Sequence, residues 1–306
     1  MKTAWKQHGF TLIFSLLLTL FTAYALLDTF VIPRGYVSAQ PAQTQPSPAD
    51  AEAQLNLYVT EEEAPRDANG YYDGNMSVTL TEYREYDTAI YVADVKLSSP
   101  EYLKTALAYD TFGKNVKTAV SEIASGAGAI LAVNGDFYGA RSDGYVIRNG
   151  VLYRAEGNGN EDLVIYADGS FEIIREDAVS AEALLEKGAE QVLSFGPALV
   201  ENGEIAVSKN EEVGKAMASN PRTAIGILGE NHYVLVVSDG RTSESEGLSL
   251  YELAEFLQSL GVHTAYNLDG GGSSTMVFRG AVVNNPTTGG RTIKERSVSD
   301  IVYIGY

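Results

Sequence analysis

The residue types best suited to chemistry are concentrated in the stretch YNLDGGGSSTM near the carboxyl terminus. It places the carboxylate of Asp269 before Gly270, Gly271 and Gly272, with the hydroxyl of Ser273 directly after them. Glycines add no side-chain packing, so a fold keeps several together where φ must be positive or where a group approaches the main chain closely. Because a carboxylate precedes these glycines and hydroxyls follow, we expect a polar ligand at this loop. A tight β-turn that simply requires glycine explains the spacing alone equally well.

Polar side chains form further clusters where strand-like runs begin or end. Asn134 and Asp136 follow one apolar run, Arg222 precedes another, and Asp239 follows a third. Strand ends on a rigid sheet are common positions for binding groups, because the scaffold fixes their geometry. Taken singly, each could instead be a turn residue or a surface ion-pair partner. We expect the following side chains to converge on one cleft: Asn134, Arg222, Asp239, Asp269 and Ser273.

The elements that must position these residues are mostly strands. Residues 77–84 and 88–97 alternate apolar and polar side chains, which predicts a pair of strands. Asn-Gly or Asp-Gly pairs at 149–150, 168–169 and 202–203 each separate two strand-like runs. Such pairs are the strongest short-range signal for hairpins, because both central residues of a type I′ turn need positive φ.

Helices are fewer, and they are predicted at residues 116–124, 181–187 and 250–260. Ser249 and Glu252 have the spacing of a capping box at the start of the last one. About a dozen strands with three or four helices predict an α+β domain, built on a mixed, mostly antiparallel sheet with a few flanking helices.

The amino-terminal residues predict a membrane signal. Lys2 and Lys6 precede an apolar run over residues 10–32. A secretory h-region has about 7–15 residues and a spanning helix about 20, so the run is closer to a spanning helix. The lysines predict a cytoplasmic amino terminus and an exported remainder. We expect residues 1–35 to be a cytoplasmic tip and a transmembrane signal anchor in the cell membrane. Small residues just beyond it leave cleavage and secretion open.

A spacer is predicted between this anchor and the domain. It comprises residues 36–75, of which residues 40–68 are rich in Pro, Ala, Gln, Ser and Glu. Such a composition cannot bury enough apolar surface to order itself, so we expect a flexible linker. The folded domain is predicted to occupy residues 76–306.

Composition narrows the function classes. The formal net charge of −18 argues against nucleic acid and anionic membrane surfaces as partners, since like charges repel. The chain has no cysteine, which excludes disulfides, thiolate catalysis and cysteine-ligated metals. Its three histidines argue against a histidine-rich zinc site. We expect no cofactor, while a hard divalent cation such as calcium or magnesium stays open. The oligomeric state is not fixed by the sequence.

Several motifs, in their order and spacing, resemble those of the phosphodiester glycosidase family. The segments that carry the resemblance are NGDFY at 134–138, RTAIG at 222–226, SDGR at 238–241, GLSLYELAEFL at 247–257, NLDGGGSST at 267–275 and RSVS at 296–299. The resemblance extends over roughly residues 78–306, nearly the whole predicted domain. It implies a phosphodiester-glycosidase-like catalytic domain and an exported member of the family.

The implied reaction is hydrolysis of a sugar-1-phosphodiester, such as an N-acetylglucosamine-1-phosphodiester, in envelope or exopolysaccharide material. The bond between the anomeric carbon and the phosphate oxygen would break. Glycoside cleavage uses carboxylates, and the three candidates for catalysis are Asp269, Asp239 and Asp136. Which of them acts as acid, base or nucleophile is left open.

The phosphate of such a substrate needs cationic or N–H donors. A guanidinium meets phosphate oxygens in a bidentate way, so Arg222 is the first candidate and Arg296 the second. The amides of the three glycines could add an anion nest. Ser273 and Asn134 are candidates for orienting the substrate.

Two other functions fit the same residues. The site could bind a sugar phosphate or polysaccharide without cleaving it, as a module in exopolysaccharide or cell-wall assembly. Alternatively, Asp136, Asp239 and Asp269 could surround a hard cation in a metal-dependent hydrolase. Catalysis without a metal requires a carboxylate within hydrogen-bond reach of the phosphate position.

Overall fold

The computed structural model describes residues 2–35, 69–210 and 219–306. Most of the predicted spacer, residues 36–68, lies outside the described residues. The division of the chain into anchor, spacer and catalytic domain therefore stays a prediction.

Strands account for most of the regular structure. In chain order they are β1 (Arg34–Gly35), β2 (Gly70–Tyr72), β3 (Met76–Glu85), β4 (Thr88–Leu97), β5 (Leu103–Leu107), β6 (Gly113–Lys114), β7 (Leu131–Asn134), β8 (Val146–Arg148), β9 (Val151–Arg154), β10 (Glu161–Tyr166), β11 (Phe171–Arg175), β12 (Ala189–Leu193), β13 (Ala198–Glu201), β14 (Glu204–Ile205), β15 (Arg222–Gly229), β16 (His232–Ser238), β17 (Thr264–Asn267), β18 (Met276–Phe278), β19 (Ala281–Val282) and β20 (Asp300–Ile304). The α-helices are α1 (Lys2–Phe30), α2 (Val120–Gly126), α3 (Ala181–Glu186) and α4 (Leu250–Ser259).

The strands form one large sheet and two smaller ones. The large sheet has eight strands in the order β14-β13-β17-β15-β16-β4-β3-β2. The smaller sheets have five strands each, in the orders β19-β18-β7-β20-β5 and β11-β10-β12-β8-β9. Strands β1 and β6 form a separate pair. The predicted α+β class with mostly antiparallel pairing is confirmed.

The central strands of the large sheet are buried on both faces, which explains the apolar character of β4. Ile90 and Val92 pack against α4, in a cluster that includes Phe256. Tyr91 and Val95 point the other way, into the core shared with the two smaller sheets. Successive side chains of a strand face opposite sides, so both sets must be apolar here. Helices α2 and α3 cover the outer faces of the smaller sheets.

Local signals predicted several elements well. The hairpin at 149–150 forms, with φ of 50° at Asn149 and 72° at Gly150. The capping box of α4 forms as well, because the side chain of Ser249 accepts the amide of Glu252 and the reverse bond is also present. The helix predicted at 116–124 begins only at Val120, since the residues before it bridge to the carboxyl-terminal segment.

A helix forms at the amino terminus, where the apolar run predicted one, and it spans Lys2–Phe30. In the part of the chain that the structure describes, no helix is both long enough and apolar enough to cross a membrane. The predicted membrane-spanning anchor is therefore not confirmed.

Candidate active site

Sheet topology brings three of the polar clusters to the same edge of the large sheet. Strand β15 runs antiparallel to both of its neighbours, so it begins where β16 and β17 end. Arg222 lies opposite Ser238, and Ala224 lies opposite Asn267. The segments that follow these strands, including Asp269, therefore share one edge.

The fourth cluster comes from the facing sheet, and Asn134 joins the two. Asn134 is the last residue of β7 and is completely buried. Its Nδ2 donates to the carbonyl oxygen of Asp269 at 2.6 Å, and its Oδ1 accepts the hydroxyl of Thr223 at 2.8 Å. Its amide is thus used to fix the loop that carries Asp269 against the start of β15.

Asp269, Ser273 and Arg296 form one hydrogen-bonded group. The Oδ2 atom of Asp269 accepts the hydroxyl of Ser273 and lies 3.2 Å from Nη2 of Arg296. The Ser273 hydroxyl oxygen accepts Nε of Arg296 at 3.0 Å and Nη2 at 2.6 Å. The Oδ1 atom of Asp269 accepts only the amide of Gly270, at 2.9 Å. No other described group donates to this oxygen, so it can accept one more hydrogen bond.

Burial and hydrogen bonding have opposite effects on the pKa of Asp269. Burial raises the pKa above its ordinary value, because a charged carboxylate loses its hydration. The guanidinium of Arg296 and the Ser273 hydroxyl lower it, since both stabilise the ionised form. Burial prevails, so the net direction is upward. A carboxylate with a raised pKa is a better proton acceptor near neutral pH than an ordinary aspartate.

The glycine loop owes its composition to close approaches. Gly271 has a φ of 62°, in the left-handed region that favours glycine. A Cβ atom on Gly271 would lie 2.9 Å from Nη2 of Arg241, and one on Gly272 would lie 2.3 Å from the Thr288 hydroxyl oxygen. The amide of Gly271 donates to the carbonyl of Pro221. The Gly270 amide is also used within the protein, so two of the three amides expected in the anion nest already have protein acceptors.

These residues surround a cavity of about 200 Å³. Its lining residues are Phe195, Asn220, Arg222, Arg241, Asn267, Leu268, Asp269, Gly270, Gly271 and Arg296. Ser273 and Asn134 lie behind this wall, and each is almost completely buried. Arg222 is also buried, and its Nε donates to the carbonyl of Leu248 at 2.8 Å. Part of its guanidinium therefore holds the segment before α4 in place.

Asp239 was expected in the cleft but does not line it. Its Oδ1 accepts the amide of Asn285 at 2.8 Å and Nδ2 of Asn284 at 3.2 Å. Its Oδ2 accepts Nδ2 of Asn285 at 2.9 Å. The carboxylate thus binds the 284–285 loop to the end of β16, which is a structural task.

Asp136 lies in a different buried cluster. Its Oδ1 accepts the amide of Tyr138, and its Oδ2 accepts the amide of Ser194 at 2.9 Å. The same Oδ2 is 2.8 Å from Nη2 of Arg148, which also contacts Asp300 at 2.8 Å. The three charged side chains of this cluster are sealed from solvent, so substrate does not reach Asp136 here.

The metal-dependent alternative is not supported by this arrangement. Asp136, Asp239 and Asp269 each have their own protein partners and do not face one another. Across residues 2–35, 69–210 and 219–306, no group of three or more His, Cys, Asp or Glu side chains is placed to hold a metal ion.

Sequence reasoning missed several cavity residues. Arg241 and Asn220 lay within the polar clusters, but nothing in their spacing set them above their neighbours. Phe195 follows β12 and carried no local signal at all. Asn267 precedes the glycine loop; its Nδ2 donates to the carbonyl of Gly196 at 2.7 Å. The Oδ1 atom of Asn267 is buried and accepts no hydrogen bond from the described residues.

The chain is similar to known proteins in sequence and in fold. A family model described as phosphodiester glycosidase matches residues 127–305. The chain is 32% identical over 203 residues to an SPbeta prophage-derived protein of Bacillus subtilis, covering 64% of this chain and 31% of that protein. It is also 32% identical over 189 residues to mouse N-acetylglucosamine-1-phosphodiester alpha-N-acetylglucosaminidase, covering 56% of this chain and 36% of the mouse protein. The chain thus spans about a third of the length of these relatives.

A solved structure shows the same fold. It is the catalytic domain of zebrafish N-acetylglucosamine-1-phosphodiester alpha-N-acetylglucosaminidase, auto-inhibited by its pro-peptide. The TM-score is 0.60 at 22% identity, covering 76% of this chain and 83% of the zebrafish chain. At this identity the likeness concerns the fold alone.

Proposed function

The chain belongs to the phosphodiester glycosidase family, and from this premise we propose that it hydrolyses sugar-1-phosphodiesters. N-acetylglucosamine-1-phosphodiesters are the first candidates, because a relative that is 32% identical carries that substrate in its name. Water attacks the anomeric carbon, and the bond between this carbon and the phosphate oxygen breaks. The leaving oxygen keeps the electron pair as part of a phosphomonoester, and the proton of the water passes to the enzyme.

The observation that carries the proposal is the carboxylate of Asp269 at the wall of an arginine-lined cavity. Glycosidases generally use two carboxyl groups, one of which protonates the leaving group. Among the described residues that line this cavity, Asp269 is the single carboxylate. A phosphate leaving group is a weak base and departs without being protonated. The cavity therefore suits a sugar phosphate better than an ordinary glycoside.

Asp269 is proposed to act as the general base. Its Oδ1 has room for one more hydrogen-bond donor, which an attacking water supplies. Burial has already raised the pKa of its carboxyl group, which strengthens it as a proton acceptor. Arg296 and Ser273 hold the other oxygen and so fix the direction of the carboxylate.

The remaining residues predicted for the site have supporting roles in this proposal. Asn134 positions the Asp269 loop, and Arg222 contributes charge from a buried position at the cavity wall. Asp239 and Asp136 hold neighbouring segments and leave the reaction to Asp269. The close approach at Gly271 lets a guanidinium sit beside the loop.

Asn267 is the proposed contact for the sugar. Its Oδ1 is a buried acceptor without a donor in the described part of the chain. A buried acceptor left unpaired costs about 1–3 kcal/mol. A hydroxyl or N–H group of the sugar would supply the missing bond.

The direct test is to incubate the purified protein with a panel of sugar-1-phosphodiesters and to measure released sugar and phosphomonoester. We expect release of both products in equal amounts from at least one diester, and loss of release in Asp269→Asn. Binding of every tested diester without release would instead identify a non-catalytic sugar-phosphate module.

We also propose that the domain acts outside the cytoplasm, on phosphodiesters of the cell envelope or exopolysaccharide. Helix α1 carries many apolar side chains, and Leu16 and Phe21 are 60% and 68% exposed. Exposing so much apolar surface to water is unfavourable, so α1 suits an export signal that enters an apolar environment. Cell fractionation with amino-terminal sequencing tests this: protein found only in the cytoplasm would contradict it.

A further inference from the structure

The cavity has more positive charge than its own carboxylate can neutralise. Three guanidiniums line it, those of Arg222, Arg241 and Arg296, together with the one carboxylate of Asp269. Arg296 is paired with Asp269. In the described ranges, no carboxylate lies within ion-pair distance of Arg241. In a chain with a net charge of −18, such a cationic cavity is a local arrangement rather than a result of composition.

Arg241 is bound by neutral groups only, and they do not exhaust its donors. Its Nε and Nη2 donate to Oδ1 of Asn220 at 3.0 and 2.8 Å, and its Nη1 donates to the carbonyl of Thr288 at 2.7 Å. A guanidinium has five N–H donors. Among the described contacts, two N–H donors of Arg241 therefore remain unused, one on Nη1 and one on Nη2. A pair of this kind matches two oxygens of one phosphate.

The position of Arg241 is fixed by its backbone. Its φ is 62°, a backbone conformation that residues other than glycine rarely adopt. The amide donates to the carbonyl of Glu246 at 3.1 Å, which holds the turn after β16. On the other side, Gly271 leaves the space in which Nη2 lies. Strained backbone of this kind persists where surrounding contacts enforce it, and it is common at binding sites.

We propose that Arg241 is the residue that anchors the phosphate group of the substrate, through its two remaining N–H donors, and so sets the preference for anionic leaving groups. This rests on the proposed function of the same cavity and adds to it a residue that the sequence did not single out. Arg296 keeps its bond to Asp269, and Arg222 keeps its bond to Leu248. In this proposal Arg241 binds the substrate, while Arg296 and Arg222 organise the site.

The charge environment agrees with this division. Burial lowers the pKa of Arg241, and the neighbouring guanidinium of Arg296 lowers it further. Two neighbouring guanidiniums in a partly buried cavity with one carboxylate are stabilised when an anion binds. A phosphate monoanion or dianion supplies that charge, whereas a neutral sugar does not.

The test compares binding of a phosphate ester with binding of a neutral sugar in the full-length protein. Calorimetry with methyl phosphate and with N-acetylglucosamine would be done on wild type, Arg241→Gln, Arg241→Lys and Arg279→Gln. Arg279 is a matched control, because it has the same charge and a positive φ of 50° but does not line the cavity. Circular dichroism of each variant checks the fold.

We expect Arg241→Gln to weaken methyl phosphate binding roughly tenfold to hundredfold, as is usual for loss of a charge-assisted contact. Binding of N-acetylglucosamine should be unchanged. The affinity of Arg241→Lys for methyl phosphate should lie between those of wild type and Arg241→Gln. For diester hydrolysis, KM should rise more than kcat falls. A folded Arg241→Gln protein that binds methyl phosphate as wild type does would overturn the proposal, as would wild type that does not bind it. Wild type that binds methyl phosphate but releases no sugar would contradict the hydrolase function and leave the anion site in place.

Discussion

Two of the clusters in which arginine meets aspartate differ in their access to solvent. In the cavity cluster, the side chains of Arg296 and Asp269 are 39% and 12% exposed. In the sealed cluster, Arg148 is 2% exposed, and both Asp136 and Asp300 are at 0%. The same residue types are therefore placed once beside an opening and once inside the protein.

The sealed cluster joins three strands, and its three charged side chains are almost completely buried. Arg148 ends β8, Asp300 begins β20, and Asp136 follows β7. Nε of Arg148 donates to Asp300 at 2.9 Å, and Nη1 donates to the carbonyl of Ile147 at 3.0 Å. One guanidinium serves two carboxylates, and burial raises the pKa of Asp300 to about 7, with Asp136 adding to the rise and Arg148 opposing it. Charge pairs in this cluster hold strands together inside the protein, whereas the pair in the cavity lies where a substrate can approach it.

The largest effect is expected from breaking the sealed cluster. Arg148→Met removes the guanidinium and leaves two buried carboxylates without a cationic partner. Removing one partner of a buried ion pair costs about 3–5 kcal/mol, because the other charge stays buried and unpaired. Urea unfolding followed by circular dichroism should show a loss of this size.

The control is an arginine–aspartate ion pair at the surface. Arg175 and Asp177 are 57% and 63% exposed, so Arg175→Met should cost about 1 kcal/mol or less. Equal losses in the two variants would contradict the distinction between sealed and open pairs. Adding Asp136→Asn to Arg148→Met should recover part of the loss, because it removes one of the two uncompensated charges.

The second effect is catalytic and belongs to the cavity cluster. Asp269→Asn keeps the size of the side chain but removes the base, so kcat should fall by about 10²-fold or more, or roughly 3 kcal/mol of transition-state stabilisation. The unfolding midpoint should change little. The same substitution at Asp136 should have the opposite profile, with a change in stability and nearly normal turnover. Normal turnover in a folded Asp269→Asn protein would remove Asp269 from the chemistry.

The contrast between the clusters also shows how much of the fold and of the candidate site could be predicted from the sequence. Hairpins and the α4 capping box depend on residues a few positions apart, so local patterns predicted them. The placement of Asp269 beside Ser273 was predictable for the same reason, since the two residues lie four positions apart on one loop. The motif order carried the family resemblance, and with it the substrate class that we propose.

What the sequence could not tell is which carboxylates are already occupied. Asp239 is saturated by Asn284 and Asn285, and Asp136 by Arg148, and these partners come from distant segments. Arg241 lines the cavity and has a positive φ, a conformation that no local pattern predicted. Long-range contacts, rather than residue type, decide which polar groups remain available for a ligand.

The third effect concerns the hydrogen bond from the Ser273 hydroxyl to Asp269. The Ser273 hydroxyl lowers the pKa of Asp269, so Ser273→Ala should raise it. A base that must be ionised then becomes active only at higher pH, and the acidic limb of the kcat/KM profile should move upward. At neutral pH we expect a loss of about tenfold to hundredfold, or 1.5–3 kcal/mol, for a hydrogen bond to a charged group.

The neighbouring serine provides the control for this prediction. Ser274 is completely buried, and its hydroxyl has no hydrogen-bond partner among the described residues. Ser274→Ala should leave the pH profile where it is. Parallel shifts in both variants would point to a general disturbance of the loop rather than to a bond with Asp269.

The smallest effect concerns a third kind of carboxyl group, one that is sealed without any arginine. Asp162 on β10 is completely buried, and no arginine in the described ranges forms an ion pair with it. Burial raises its pKa to about 9, and the charge of Glu176 adds to the rise. The folded protein therefore keeps the proton up to about pH 9, while the unfolded chain releases it near its ordinary value of about 4. Between these values the folded state binds more protons, so the contribution of Asp162 to stability decreases as pH rises, by at most about 1.4 kcal/mol per pH unit.

Asp162→Asn keeps a neutral side chain of the same size at every pH. The free energy of unfolding of the variant should therefore increase by about 1 kcal/mol relative to wild type between pH 6 and pH 7. Urea unfolding at the two pH values measures this, with the exposed Asp177→Asn as the control that should keep the wild-type slope. Identical slopes for Asp162→Asn and wild type would mean that Asp162 is ionised inside the fold, and that the comparison between sealed carboxylates with and without arginine does not hold.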